Sequence, residues 1–223
     1  MEMTLVIANK NYSSWSLRAW LMLRRADVPF REVRIPLAQA DTGARLRQRS
    51  PSGLAPALID GDLTVWDSLA IGEYLHEQFP AAGLWPQEAH IRARARSISA
   101  EMHAGFSALR QNLPFNARAR LPGRAISADC RANIERIGAI WRDCRREFST
   151  QGPFLFGHFS IADAMYAPVA LRFQTYSIDL LEAEAAAYAD TIVAQPDIQH
   201  WLDDARLEPE RIEKYEVNPL TPP

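Results

Sequence analysis

The chain has 223 residues, 48% of them hydrophobic and 23% charged, with a formal net charge of −2. Such a chain can bury a real core as one large domain or two small ones, and it carries no global basic field to recruit nucleic acid or an anionic membrane. No apolar run approaches the roughly 20 residues that span a bilayer, and Met1-Glu2-Met3-Thr4 lacks the features of a secretion signal, so the expected compartment is the cytoplasm.

Thr4 to Ala8 is a near-continuous apolar run, suited to a strand buried on both faces. Polar Asn9-Lys10-Asn11 and then Tyr12-Ser13-Ser14-Trp15-Ser16-Leu17-Arg18 lead into a helix carrying Leu17, Trp20, Leu21 and Leu23. Arg24 and Arg25 suit its negative end. Val28-Pro29-Phe30 breaks that helix, and Arg31 to Ile35 alternates as a second strand would. Gln39 to Ser52 holds one loose helix ending at the turn Ser50-Pro51-Ser52-Gly53. Pro56 then opens Ala57-Leu58-Ile59, Asp60-Gly61 supplies a two-residue turn, and Leu63 to Trp66 returns as the second arm of a hairpin. Asp67 and Ser68 precede Ile71, Leu75 and Phe79 at helical spacing, so the order is βαβαββα.

Two roles are open to Asp67 and Ser68. They cap the third helix, or Ser68 with its backbone N–H holds a carboxylate at the positive helix end while Asp67 holds an ammonium beside it.

Residues 81–87, with Gly83 and Pro86, read as a linker between a first domain over 1–80 and a second over 88–223. Beyond it the pattern is helical. Ile91, Ala95, Ile98, Met102, Phe106, Leu109 and Leu113 predict one long amphipathic helix, and Cys130, Ile134, Ile137, Trp141, Cys144 and Phe148 predict another. The two cysteines fall on that second stripe without zinc or redox spacing and read as core thiols. Ser160-Ile161-Ala162-Asp163 is a capping box, opening a helix over Ile161 to Phe173 that is apolar on nearly every side apart from Asp163 and Arg172, with Pro168 expected to kink it. Leu181, Tyr188 and Ile192 mark a further helix, and Pro196-Asp197 begins the last. Val217 to Pro223 reads as a tail, and the arginines at 92, 94, 96, 145 and 146 as a solvated face.

Three motifs together resemble the cytosolic glutathione S-transferase family across nearly the whole chain. Ala55-Pro56 resembles the family's Val-Pro, whose bond is cis and whose first residue pairs its backbone with the cysteinyl part of glutathione. Trp66-Asp67-Ser68-Leu69-Ala70-Ile71 resembles the Glu/Gln-Ser-x-Ala-Ile that grips the γ-glutamyl end, and Phe159 to Asp163 resembles the folding motif of the sixth helix. The resemblance implies a thioredoxin-like N-terminal domain followed by an all-helical C-terminal domain, a homodimer, and glutathione as co-substrate. Ser13-Ser14-Trp15-Ser16-Leu17-Arg18 is similar to the Ser-Ser-Cys-x-x-Arg of zeta-class members, with Trp15 in place of the cysteine, so the chain resembles a bacterial-type member with a zeta/theta-like serine loop. Ser13 matches that motif's first serine, whereas counting back from Arg18 brings Ser14 onto the delta and theta serine. Tyr12 is a third possible donor.

The activity implied by this resemblance is that of a transferase holding glutathione as thiolate for attack on a small electrophile. Glutathione's thiol has a pKa of about 8.5, and lowering it by two units takes about 2.7 kcal/mol, within reach of one hydroxyl donor plus a helix N-terminus and without a metal. The electrophile pocket is expected between domains, lined by Tyr12, Trp15, His103, Phe106 and Arg172. Plainer roles stand beside these: Phe106 as core, His103 as a rim residue, and Arg172 paired with a structural acid. A glutathione-dependent isomerase or dehalogenase, or a non-catalytic binder of glutathione or protein, are the alternatives that the same fold allows.

Overall fold

A computed structural model describes residues 2–217, so the sequence expectation for the last six residues of the tail lies outside the described residues. The N-terminal part runs β1 (Met3–Ile7), α1 (Ser14–Arg25), β2 (Phe30–Arg34), α2 (Thr42–Arg47), β3 (Ala57–Asp60), β4 (Leu63–Trp66) and α3 (Ser68–Gln78). The sheet order is β2-β1-β3-β4, with β1 parallel to β2 and antiparallel to β3, and β3 antiparallel to β4. Side chains alternate between sheet faces. Thus Met3, Leu5 and Ile7 join the main core with α1 and α3, while Val6 meets Ile35, Leu46 and Ala57 on the other face.

The hairpin is displaced by one residue from its expected position. Asp60 pairs with Leu63, so Gly61 and Asp62 form the connection, and Gly61 takes the positive φ of 59° that such turns require. The Ala55–Pro56 peptide is cis.

The remainder is helical: α4 (Ala89–Ala104), α5 (Ser107–Asn112), α6 (Ala128–Phe148), α7 (Ile161–Tyr176), α8 (Ala183–Val193) and α9 (Pro196–Leu207). Here one expectation fails. The stripe from Ile91 to Leu113 is two helices, because Gly105 leaves helical geometry and Phe106 turns left-handed at φ 59°. A Cβ at Gly105 would lie 2.7 Å from the Glu101 carbonyl. Phe106 nevertheless stays buried, so the apolar spacing runs through the break unmarked.

α7 is the buried centre, packing against α1, α4 and α8. Its capping box is fully formed: Ser160 N–H and Oγ–H donate to Asp163 Oδ2 at 2.8 and 2.9 Å, and Leu155 N–H and Tyr188 O–H reach Oδ1. Burial raises the Asp163 pKa from its ordinary value against the pull of those donors. α3 abuts both domains at Gly72, where a Cβ would meet Met22 Sδ at 2.8 Å and Ile161 Cδ1 at 3.2 Å. This close seam between α1, α3 and α7 fixes the first helix against the helical domain. Among the described residues, no helix is long and apolar enough to cross a membrane.

Candidate functional site

A cleft of about 390 Å³ opens where the loop before β3, the start of α3 and the end of α4 converge, within the range of small-molecule sites. Trp15, Ser52, Leu54, Ala55, Pro56, Trp66, Asp67, Ser68 and His103 line it. Six of these are site residues expected from the sequence. Ser52, Leu54 and Trp66 are additions: Ser52 lies in the turn before β3, Leu54 precedes Ala55-Pro56, and Trp66 opens the stretch that runs to Ile71. A roomier crevice of about 530 Å³ near Arg25, Trp85 and His158 brings together none of the expected site residues.

The start of α3 combines both roles considered for Asp67 and Ser68. Asp67 is the N-cap, with Oδ1 accepting from Leu69 and Ala70 N–H at 2.8 and 3.4 Å. Its other oxygen lies 3.0 Å from His103 Nε2, so a carboxylate expected to wait for an ammonium already has a neighbour from α4. Asp67 also holds φ 77°, an uncommon conformation for a non-glycine residue. Ser68 differs: it is 1% exposed, it lines the cleft, and its hydroxyl has no partner among the described residues. An unpaired buried hydroxyl costs free energy unless a ligand meets it.

The first turn of α1 distinguishes the two serines. Ser13 is the N-cap: its Oγ accepts from Ser16 N–H and donates to Ser16 Oγ at 2.8 Å, which commits its proton. Ser14, the first helical residue, is buried and receives Arg172 Nη2 at 3.5 Å. Neither serine lines the cleft in this structure; the adjoining Trp15 does.

Trp15 is held by cations. The guanidinium carbons of Arg18 and Arg110 lie 4.4 and 4.7 Å from its ring centre, and His103 meets it edge-on at 5.3 Å. Arg110 donates to the carbonyls of Met102, His103 and Gly105 and so caps the negative end of α4. Among the described residues, Arg172 pairs with no structural acid. Its Nε donates instead to the Leu113 carbonyl at the end of α5, at 2.9 Å. Burial and the neighbouring Arg110 lower its pKa to about 9. Burial, with Arg110 and Arg172 nearby, pulls Arg18 well below its ordinary value too. The ground behind Trp15 is electropositive.

Three residues expected in the electrophile pocket lie away from the cleft lining. Tyr12 is buried, and its hydroxyl donates to Glu216 and accepts from Ile212 N–H and Arg118 Nη2, so it fastens the C-terminal segment instead. Phe106 is core at the α4–α5 break, and Arg172 is buried against the end of α5, whose Leu113 carbonyl it holds. Among the described residues, no group of three His, Cys, Asp or Glu side chains is placed to hold a metal. Burial pushes both cysteine thiols, Cys130 and Cys144, up to about 11.

A parallel-antiparallel thioredoxin-like sheet joined to a helical domain, with a cleft between an X-cis-Pro turn and a serine-started helix, defines the class of glutathione-handling folds. Family models bear this out: residues 12–78 match the N-terminal domain of glutathione S-transferases and residues 99–204 the C-terminal domain, and the chain belongs to the glutathione S-transferase family. It is 42% identical over 62 residues to a dichloromethane dehalogenase of Methylorubrum extorquens, a stretch covering 26% of this chain and 21% of that protein. It is 31% identical over 96 residues to a probable maleylacetoacetate isomerase of Caenorhabditis elegans, covering 43% and 44%. The chain thus matches about a fifth and under half of the length of these two relatives. A glutathione transferase homologue from Burkholderia, solved with bound glutathione, shares the fold at TM-score 0.68 and 22% identity over 92% of this chain and 98% of that one.

Proposed function

We propose that this chain binds glutathione in the cleft and presents its thiol as thiolate for attack on a small electrophile. The observation that carries the reading is Ser68, a cleft-lining residue at the start of an 11-residue helix whose buried hydroxyl has no partner among the described residues. A carboxylate there gains a charge-assisted hydrogen bond and the positive end of the helix. In this reading Ser68 takes the γ-glutamyl carboxylate, Asp67 shares its charge between His103 and the ligand's ammonium, and the backbone of Ala55 beside cis-Pro56 pairs with the cysteinyl part.

Of the two serines, Ser14 is the better thiolate donor. The proton of Ser13 is committed to Ser16, whereas Ser14 accepts from a guanidinium, which polarises its own O–H toward a sulfur anion. The three arginines behind Trp15 add favourable potential for the thiolate. The thiol proton leaves to solvent, the sulfur lone pair forms the new bond to carbon, and the electrophile's leaving group departs with its electron pair. Trp15, His103, Leu54 and Trp66 remain as walls for the acceptor. The relatives named dehalogenase and isomerase make halogenated and isomerisable small molecules the first acceptors to try.

The same reading divides the chain at a linker over 81–87, places it in the cytoplasm and pairs it as a homodimer, with Leu63 exposed on the edge strand β4 available to a second copy. The test is calorimetric titration with glutathione, followed by turnover of a chlorodinitrobenzene. One binding site per chain and glutathione-dependent turnover are expected. Absence of binding contradicts the reading, and binding without turnover of any acceptor turns it toward a glutathione-binding protein.

A further inference from the structure

The loop that delivers Ser13 and Ser14 to the first helix is held from the far end of the sequence. Glu208, just after α9 and 7% exposed, places its two carboxylate oxygens on successive backbone donors: Lys10 N–H at 2.7 Å and Asn11 N–H at 3.1 Å. Consecutive amides converging on one anion form the concave arrangement that elsewhere binds phosphate or carboxylate ligands; here the chain supplies the anion itself. Both donors belong to buried residues, where stranding a backbone N–H is costly.

The rest of the loop is fixed around this contact. Trp201 Nε1–H donates to the Lys10 carbonyl at 2.9 Å, Ala117 N–H to the Asn11 carbonyl at 3.0 Å, and Ser13 N–H to the Asn9 carbonyl at 2.8 Å. Arg118 ties the backbone around Glu208 to the same place, donating to the Glu208 carbonyl at 2.7 Å while its own N–H reaches Asn11 Oδ1 at 2.9 Å. Arg34 lies 3.5 Å from Glu208 and balances its charge. Lys10 Nζ, wedged 5.5 and 5.2 Å from the Trp20 and Trp201 ring centres, pairs with Glu32 and Asp204. Every anchor therefore converges on residues 9–13, immediately before Ser14.

We propose that Glu208 is a positioning residue for the thiolate donor: its carboxylate sets the path of residues 10–11, and through them the place of the Ser14 hydroxyl at the start of α1. This inference rests on the proposed thiolate chemistry. A displacement of about 1 Å in a reacting group is enough to cost on the order of 100-fold in rate. Glu208 is not in the cleft lining and does not touch the glutathione site directly, so its effect is on thiolate stabilisation rather than on ligand capture.

The test compares wild type, Glu208→Gln and Glu208→Ala by ultraviolet titration of the bound glutathione thiolate, with calorimetry for the dissociation constant. Glu208→Ala is expected to raise the bound thiol pKa by about one unit, a tenfold fall in the acid dissociation constant of the bound thiol, while the dissociation constant for glutathione shifts less than about threefold. Glu208→Gln, with one acceptor oxygen, should fall between. Should Glu208→Ala not fold, Glu208→Gln alone carries the comparison. An unchanged thiol pKa in a folded variant overturns the inference and leaves the proposed function standing. A wild type whose bound thiol is unshifted sinks both, and the two failures are distinguished by which protein shows them.

Discussion

Replacing Ser68 by alanine sets stability against binding. The hydroxyl is buried and unpaired among the described residues, so its removal forfeits no hydrogen bond seen there and relieves a desolvation cost of about 1–2 kcal/mol. The helix start itself is secured by Asp67, which already accepts from Leu69 and Ala70. Unliganded Ser68→Ala should therefore melt at or above the wild-type temperature. With glutathione the sign reverses. A hydrogen bond to a carboxylate is worth about 1.5–3 kcal/mol, so the dissociation constant should rise roughly 10- to 150-fold. Thermal melting with and without ligand, together with calorimetric titration, reads both quantities on one sample. A free protein destabilised by more than about 1 kcal/mol would mean that Ser68 is structural. An unchanged dissociation constant would mean that the carboxylate sits elsewhere.

Other substitutions probe the remaining parts. Ser14→Ala should raise the bound thiol pKa by about 1–2 units with little change in melting, whereas Ser13→Ala should cost about 1 kcal/mol as a lost helix cap and leave the thiol nearly unmoved. Thiolate titration and melting of the two variants separate these effects. Asp163→Ala strands four buried donors and should lower stability by about 3 kcal/mol or more, a fall of roughly 6–12 °C in a scanning calorimeter. The cysteine thiols, raised from 9.0 to about 11, are protonated at pH 8 in the folded chain. A disulfide reagent should label them at least about 100-fold more slowly than in denaturant, because only the thiolate reacts and the pKa gap alone supplies that factor. The same elevation makes folding lose stability as pH rises from about 9 to 11, since over that window the unfolded thiols release protons that the folded ones keep.

Local chemistry is the readable part of this sequence. The αβ order, the capping box of α7 and the serine-started α3 follow from spacing and caps that act within a few residues. The break between α4 and α5 is hidden because Phe106 turns left-handed yet stays buried, keeping the apolar stripe in phase; Gly105 is its one visible mark. The hairpin turn slips by one residue because Asp60-Gly61 and Gly61-Asp62 both offer a glycine to the turn, and strand pairing decides between them. Tyr12 departs from its expected place for a different reason. Its hydroxyl partners include Glu216 and Ile212, 204 and 200 residues away, and no local pattern announces contacts at that distance. Arg172 finds the carbonyl of Leu113 at the end of α5 rather than an acid, a solution set by where α5 stops. Three-dimensional closure of the two chain ends supplies what spacing cannot.

The most direct measurement is the ultraviolet titration of glutathione bound to the wild-type protein. If the cleft stabilises thiolate, the bound thiol has a pKa well below the free value of about 8.5, and most bound glutathione is thiolate at neutral pH. A bound thiol that titrates like the free one, or a cleft that takes up no glutathione, would contradict that chemistry.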